Sequence, residues 1–95
     1  MSVGWKTFVL PERVDLVADS GLQGFLLAHH AEPVRVSAAR LKRVDSLLVQ
    51  YLMAVARDWA TRGVGFAVTD VAAPQADILK LIGVTPDLLP WAEAA

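Results

Sequence analysis

The sequence contains no cysteine, which excludes disulfides and thiolate metal sites and fits a reducing cytoplasm. Charge of one sign is also missing. Nine basic residues meet ten acidic ones for a net −1, so there is no electrostatic footprint for nucleic acid or an anionic membrane surface. Long apolar runs are absent, because Gln50, Arg57 and Asp58 interrupt the longest stretch well short of a bilayer span. The run Phe8-Val9-Leu10 is too short for the apolar core of a signal peptide, and the expectation is a cytoplasmic chain without membrane insertion. No Gly-rich phosphate loop, Ser–His–carboxylate order or paired-carboxylate motif occurs. The two histidines, His29 and His30, are adjacent and have no third ligand in sequence reach, so neither a metal nor a cofactor is expected. What remains is 95 residues that are 55% hydrophobic, enough for a single domain over 1–95 with one core.

Punctuation by proline and glycine divides the chain into alternating elements. Thr7 to Leu10 reads as a strand closed by Pro11, with Val14 to Val17 as a second extended segment. Asp19 or Ser20 is an N-cap candidate for a helix over Gly21 to His30, where Leu22, Phe25 and Leu26 repeat at helical spacing. Gly21 and Gly24 each weaken that helix by about 1 kcal/mol relative to Ala, so packing has to hold it. Val34 to Ser37 alternates like a strand, and Asp45 to Arg62 forms the longest helix, stopped by Gly63. The β-branched and aromatic residues of Val64 to Val71 predict a buried strand. Pro74 opens a helix that runs through Gln75 to Ile82 and stops at Gly83. Val84 is a candidate start for a short last strand, and Thr85-Pro86-Asp87 opens a final turn at Leu88-Leu89. Alternation of this kind predicts an α/β domain: a small mixed β-sheet with about four helices packed against it.

The long helix carries more apolar residues than one face needs. At about 100° per residue, Val49, Leu52, Met53, Ala56 and Ala60 share one side. Leu48, Tyr51 and Val55 share an adjoining side, with Leu47 at its edge. One stripe belongs in the core, and Val49, Leu52, Met53, Phe66 and Val68 are the predicted core residues. The second stripe is either covered by a neighbouring helix or offered to a partner, in which case Leu47, Leu48, Tyr51 and Val55 form the contact surface. Trp5 and Trp91 read as lids over core edges. Asp70, at the end of a strand, reads as a loop residue in a position where α/β sites often form.

At the start of this helix, in "KRVDSLLVQYL", an Asp-Ser pair meets the apolar run. Either Asp45 or Ser46 serves as an N-cap, or the Ser46 hydroxyl has work of its own.

Three stretches together resemble the STAS domain, named for sulfate transporters and anti-sigma factor antagonists. Glu12-Arg13-Val14-Asp15 is similar to the family's Gly-x-Leu-Asp turn after a strand. Asp45-Ser46-Leu47-Leu48-Val49 is similar to its Asp-Ser-Ser-Gly-Leu helix start, and Leu79 to Val84 to its closing Leu-x-x-Leu-Gly-Leu segment. Glu12 stands where the family has Gly, and Leu47-Leu48 where it has Ser-Gly. The resemblance implies a STAS-like fold and a non-enzymatic, bacterial signalling module working by protein–protein contact. Ser46 would be phosphorylated by an anti-sigma factor or related serine kinase, with Asp15 and Asp45 beside the switch. Arg40, Lys42 and Arg43 are placed to offset the added charge. A constitutive subunit of a multiprotein complex, as in lipid-transporting ATPase systems, is the alternative, and a small-ligand-binding domain a third.

Overall fold

The computed structural model describes residues 4–15 and 21–94. Seven elements alternate: β1 (Lys6–Val9), α1 (Leu22–Ala28), β2 (Val34–Ser37), α2 (Ser46–Thr61), β3 (Phe66–Val71), α3 (Ala73–Leu81) and β4 (Trp91–Glu93). The strands lie in the order β1-β2-β3-β4, and every pairing is parallel. Right-handed crossovers in a sheet that grows in one direction put all the connecting helices on one face. The burial of the strands follows: Val34, Val36, Phe66 and Val68 are buried, while Arg35 between the first two is exposed. Thr7, Arg35 and Ala67, in register across three strands, line the opposite face, which no helix among the described residues covers.

The fold is therefore the expected α/β one, with two differences of detail. The sheet is wholly parallel rather than mixed, and the described residues form three α-helices, because Thr85–Leu89 makes only a hydrogen-bonded turn. Val84 does not start a strand. Its N–H donates to the Leu79 carbonyl (2.9 Å) and that of Gly83, at φ 82°, to Lys80 (3.1 Å), a Schellman motif closing α3. The same arrangement closes α2, where Gly63 at φ 71° and Val64 donate to Ala60 and Trp59. The last strand lies instead at Trp91–Glu93, whose three residues are too few to carry a periodic signal. The N-cap of α1 is Gly21 at φ 84°; the expected caps Asp19 and Ser20, and Leu16 and Val17 of the expected second strand, lie outside the described residues. Val14 and Asp15 are not in a strand.

One irregularity shapes the site. Asp70 sits at φ 59°, and between Val68 and Val71 the ladder with β4 slips so that three residues of β3 span two of β4. This β-bulge breaks the alternation and returns Val71 to the core, where it is 2% exposed.

α2 packs its Trp59 ring 6.0 Å from that of Phe66, and the indole N–H donates to the Glu32 carbonyl at 3.0 Å. Val49, Leu52, Phe66 and Val68 are buried as expected, while Met53 is only partly buried at the core edge. At the opposite end of the sheet from α2's first turn, the Glu32 carboxylate meets His29 Nδ1 (2.9 Å) and Lys6 Nζ (3.9 Å).

Two outcomes follow from this packing. Leu52→Ala removes a side chain that is 4% exposed, and is expected to cost about 2–5 kcal/mol in urea unfolding; a loss below about 1 kcal/mol would take Leu52 out of the core. The His29 hydrogen bond, helped by the charges of His29 and Lys6, holds the Glu32 carboxyl below its ordinary value of 4.5. A depressed carboxylate contributes stability above its unfolded value and loses it as pH falls through the folded one. The urea midpoint of Glu32→Gln should thus fall less steeply between about pH 5 and about pH 3 than that of the wild type. Equal slopes would show that this cluster contributes nothing.

Candidate functional site

Parallel strands deliver their following loops to one edge of the sheet, and three such loops meet beside the start of α2. Backbone bonds zip them together: Leu10 N–H donates to Ser37 (2.9 Å) and Ala38 N–H to Thr69 (2.8 Å). Further out, the Glu12 carbonyl accepts from both Lys42 N–H (2.9 Å) and Arg43 N–H (3.3 Å), and the Glu12 carboxylate lies 3.5 Å from Lys42 Nζ. These contacts set the loop carrying Asp15 alongside the loop that leads into α2. From α3, Gln75 Nε2 donates to the Lys42 carbonyl at 3.2 Å.

At the helix start the choice between the two polar residues is resolved. Asp45, in extended conformation (φ −114°, ψ 160°), is the N-cap, and its Oδ1 accepts from Leu48 N–H at 2.8 Å. Ser46 is the first helical residue and is exposed, and no hydrogen bond among the described residues engages its hydroxyl. Arg13 on the first loop and Arg40 and Arg43 on the second are exposed and enter no ion pair among the described residues. Asp15 is exposed and has an interaction of its own.

The apolar contact surface expected on α2 has to be redrawn. Leu48 and Val55 are buried, at 2% and 8% exposure, and serve the core. Since helices follow strand order on one face, α2 lies between α1 and α3, and parts of both stripes are buried within the domain: Val49, Leu52 and Ala56 of the first, Leu48 and Val55 of the second. Leu47 alone is largely exposed, at 55%, while Tyr51 is half-buried, its phenol pushed above the usual range by burial. Tyr51 forms one wall of an open cleft of about 290 Å³ whose other side carries Leu27, which is 75% exposed. What faces outward is therefore Asp45, Ser46 and Leu47, continuing through Tyr51 to Leu27.

Sequence reasoning passed over two residues. Gln75 carried no signal, since a glutamine in a first helical turn is ordinary. Asp70 was read as a loop residue, yet its Oδ2 accepts from Ser37 Oγ (3.0 Å) and Thr69 Oγ1 (3.1 Å) and so ties two strands at the rim of the site. Of the remaining candidates, His29 is paired with Glu32, and His30 Nδ1 lies 3.1 Å from the Leu27 carbonyl. Among the described residues no group of three or more His, Asp or Glu side chains is arranged to hold a metal ion. No helix among the described residues is long and apolar enough to cross a membrane. Trp91 is half-buried, its N–H donating to Val84 O at 3.0 Å. Trp5 lies outside the core, over Gly65 on the uncovered sheet face, with Arg35 5.5 Å from its ring.

Because Asp45 rather than Ser46 caps the helix, the two should differ on truncation. Asp45→Ala is expected to cost about 0.5–2 kcal/mol, and Ser46→Ala less than about 0.5 kcal/mol, both read from urea unfolding. The reverse ranking would make Ser46 the cap.

No curated protein and no solved structure matches this chain. A family model, described as "Mlab, STAS domain", matches residues 9–90, which takes in both motif loops, the whole of α2 and the close of α3. The chain belongs to the STAS domain family.

Proposed function

We propose that this STAS domain is a non-catalytic docking module whose partner meets the start of α2, and that Ser46 is a phosphorylation site that switches the contact. STAS domains are in general interaction modules rather than enzymes. One observation carries the reading: the Ser46 hydroxyl is exposed and unused, because Asp45 does the capping. A kinase can reach such a hydroxyl without unfolding the helix. The phosphate would carry about −1.5 to −2 charges and sit at the positive end of the helix dipole, which tolerates or favours it. The change is then felt outside the domain, where a contact built on Leu47 acquires a dense negative charge beside it. The partner implied is an anti-sigma factor or related serine kinase.

A second reading has its own support. Leu47, more than half exposed, stands where the family pattern has a serine, and a bare leucine suits a contact that is never released. On that reading the domain is a constitutive subunit of a larger assembly, such as a lipid-transporting ATPase, and Ser46 is not modified.

Calorimetric binding to the neighbouring-gene product, a kinase or a transporter subunit, separates the two. For the switch, Ser46→Ala should bind within a factor of about two of wild type, while Ser46→Asp should bind about tenfold more weakly. A carboxylate next to Leu47 opposes the desolvation that docking requires. Equal affinity for all three proteins, with no phosphate on Ser46 in cells, would leave the constitutive subunit standing.

A further inference from the structure

We infer that two side chains from the β3–α3 segment, Asp70 and Gln75, are positioning residues that brace the 38–45 loop and so set the presentation of Ser46. The inference rests on Ser46 as the centre of the docking surface, but the bracing is a property of the domain alone.

Asp70 is the only non-glycine residue at positive φ among the described residues, in a left-handed conformation that most side chains avoid and that Asp tolerates better than most. The bulge that imposes it aims the carboxylate at Ser37, whose Oγ donates to Asp70 Oδ2 and accepts from Ala39 N–H at 3.3 Å. Ser37 is the one buried polar residue among those described, and this relay anchors the first residues of the loop.

Gln75 anchors the middle. The Lys42 peptide is held from both sides, its N–H by the Glu12 carbonyl and its C=O by Gln75 Nε2. The amide's own oxygen, Oε1, is buried and accepts from no protein group. Turning the amide over does not relieve this, because Oε1 would then face the Lys42 oxygen, acceptor against acceptor. Gln75 shares the lining of an apolar gap of about 20 Å³ with Leu10, Leu41, Val44, Leu48 and Leu79. A leucine at position 75 would suit these neighbours better, since a buried acceptor without a donor costs stability. Packing therefore does not account for a glutamine here, whereas the grip on Lys42, three residues before the cap, does.

Backbone hydrogen exchange, followed by NMR on the isolated domain, tests the bracing with no partner present. In Gln75→Leu the amides of Lys42 and Arg43 should exchange about tenfold faster, the equivalent of one neutral hydrogen bond. Val36 and Val68 in the sheet should not change, and the thermal midpoint should hold or rise. In Asp70→Gly, where glycine accepts the φ without penalty, the Ala39 amide should accelerate in the same selective way. Unchanged loop amides, or loop and sheet amides accelerating together, would overturn the inference and make both residues ordinary contributors to stability. A failure of Ser46 to carry phosphate would leave these exchange results as they are, so the two readings fail separately.

Discussion

Parallel pairing is the constraint from which the rest of this small domain follows. Every connection must leave the carboxyl end of one strand and return to the amino end of the next, with a helix making the crossing. With strands added in the order β1-β2-β3-β4, all crossings fall on the same face. This places α2 between α1 and α3, leaves the Thr7, Arg35 and Ala67 face without a helix among the described residues, and gathers the loops after β1, β2 and β3 at one rim. Phe8, Val36 and Val68 continue the core across the sheet while those loops carry the chemistry beside it. Backbone bonds between the loops and side-chain bonds from Asp45, Asp70 and Gln75 hold that rim together.

At the start of α2 two demands compete for the same short polar segment. The helix needs an acceptor for its first N–H groups, and the proposed switch needs a group that is reachable. Asp45 meets the first demand through Leu48 N–H, which leaves Ser46 to the second. Had the serine been the cap, a phosphate on it would have had to displace a helix-terminating bond. The division of labour thus lowers the structural cost of modification, and the same division explains why the helix start tolerates a leucine at position 47. Leu48 holds the turn down in the core, so Leu47 next to it points outward.

Much of this was legible in the sequence where a residue's own backbone preference decides the outcome. Gly63 and Gly83 mark the ends of α2 and α3 because only glycine takes their positive φ cheaply, and the Val34–Ser37 strand shows its alternation directly. The Asp45-Ser46 helix start could be read from residue type, though not which of the two oxygens does the capping, since both have the reach. The fate of α2's second stripe was not legible. Leu48 and Val55 have the same period whether a neighbouring helix or a foreign protein covers them, and the sheet order that decides it is a long-range property. Asp70 and Gln75 escaped for a related reason. A bulge depends on how β3 registers with β4, and a glutamine bound to a distant carbonyl leaves no local pattern.

The electrostatics of the rim narrow what the proposed partner can be. The Glu12–Lys42 pair neutralises one cation, and Asp45 contributes a negative charge at the helix start. Arg13, Arg40 and Arg43 face solvent on the two loops that Glu12 ties together. Within a Debye length of about 8–10 Å, such charges are weak individually, and a partner gains little from any one of them. The gain in affinity therefore has to come from apolar area, and Leu47, Tyr51 and Leu27 are the residues that offer it along α2 and its cleft with α1. With arginines exposed on the adjoining loops, the proposed contact is sensitive to an added anion in two opposing ways. Phosphate on Ser46 would be attracted to the arginines, which would favour its formation, while the hydration it brings would oppose burying Leu47. The second effect acts at the contact itself and the first only at its edge, so modification should release a partner rather than recruit one.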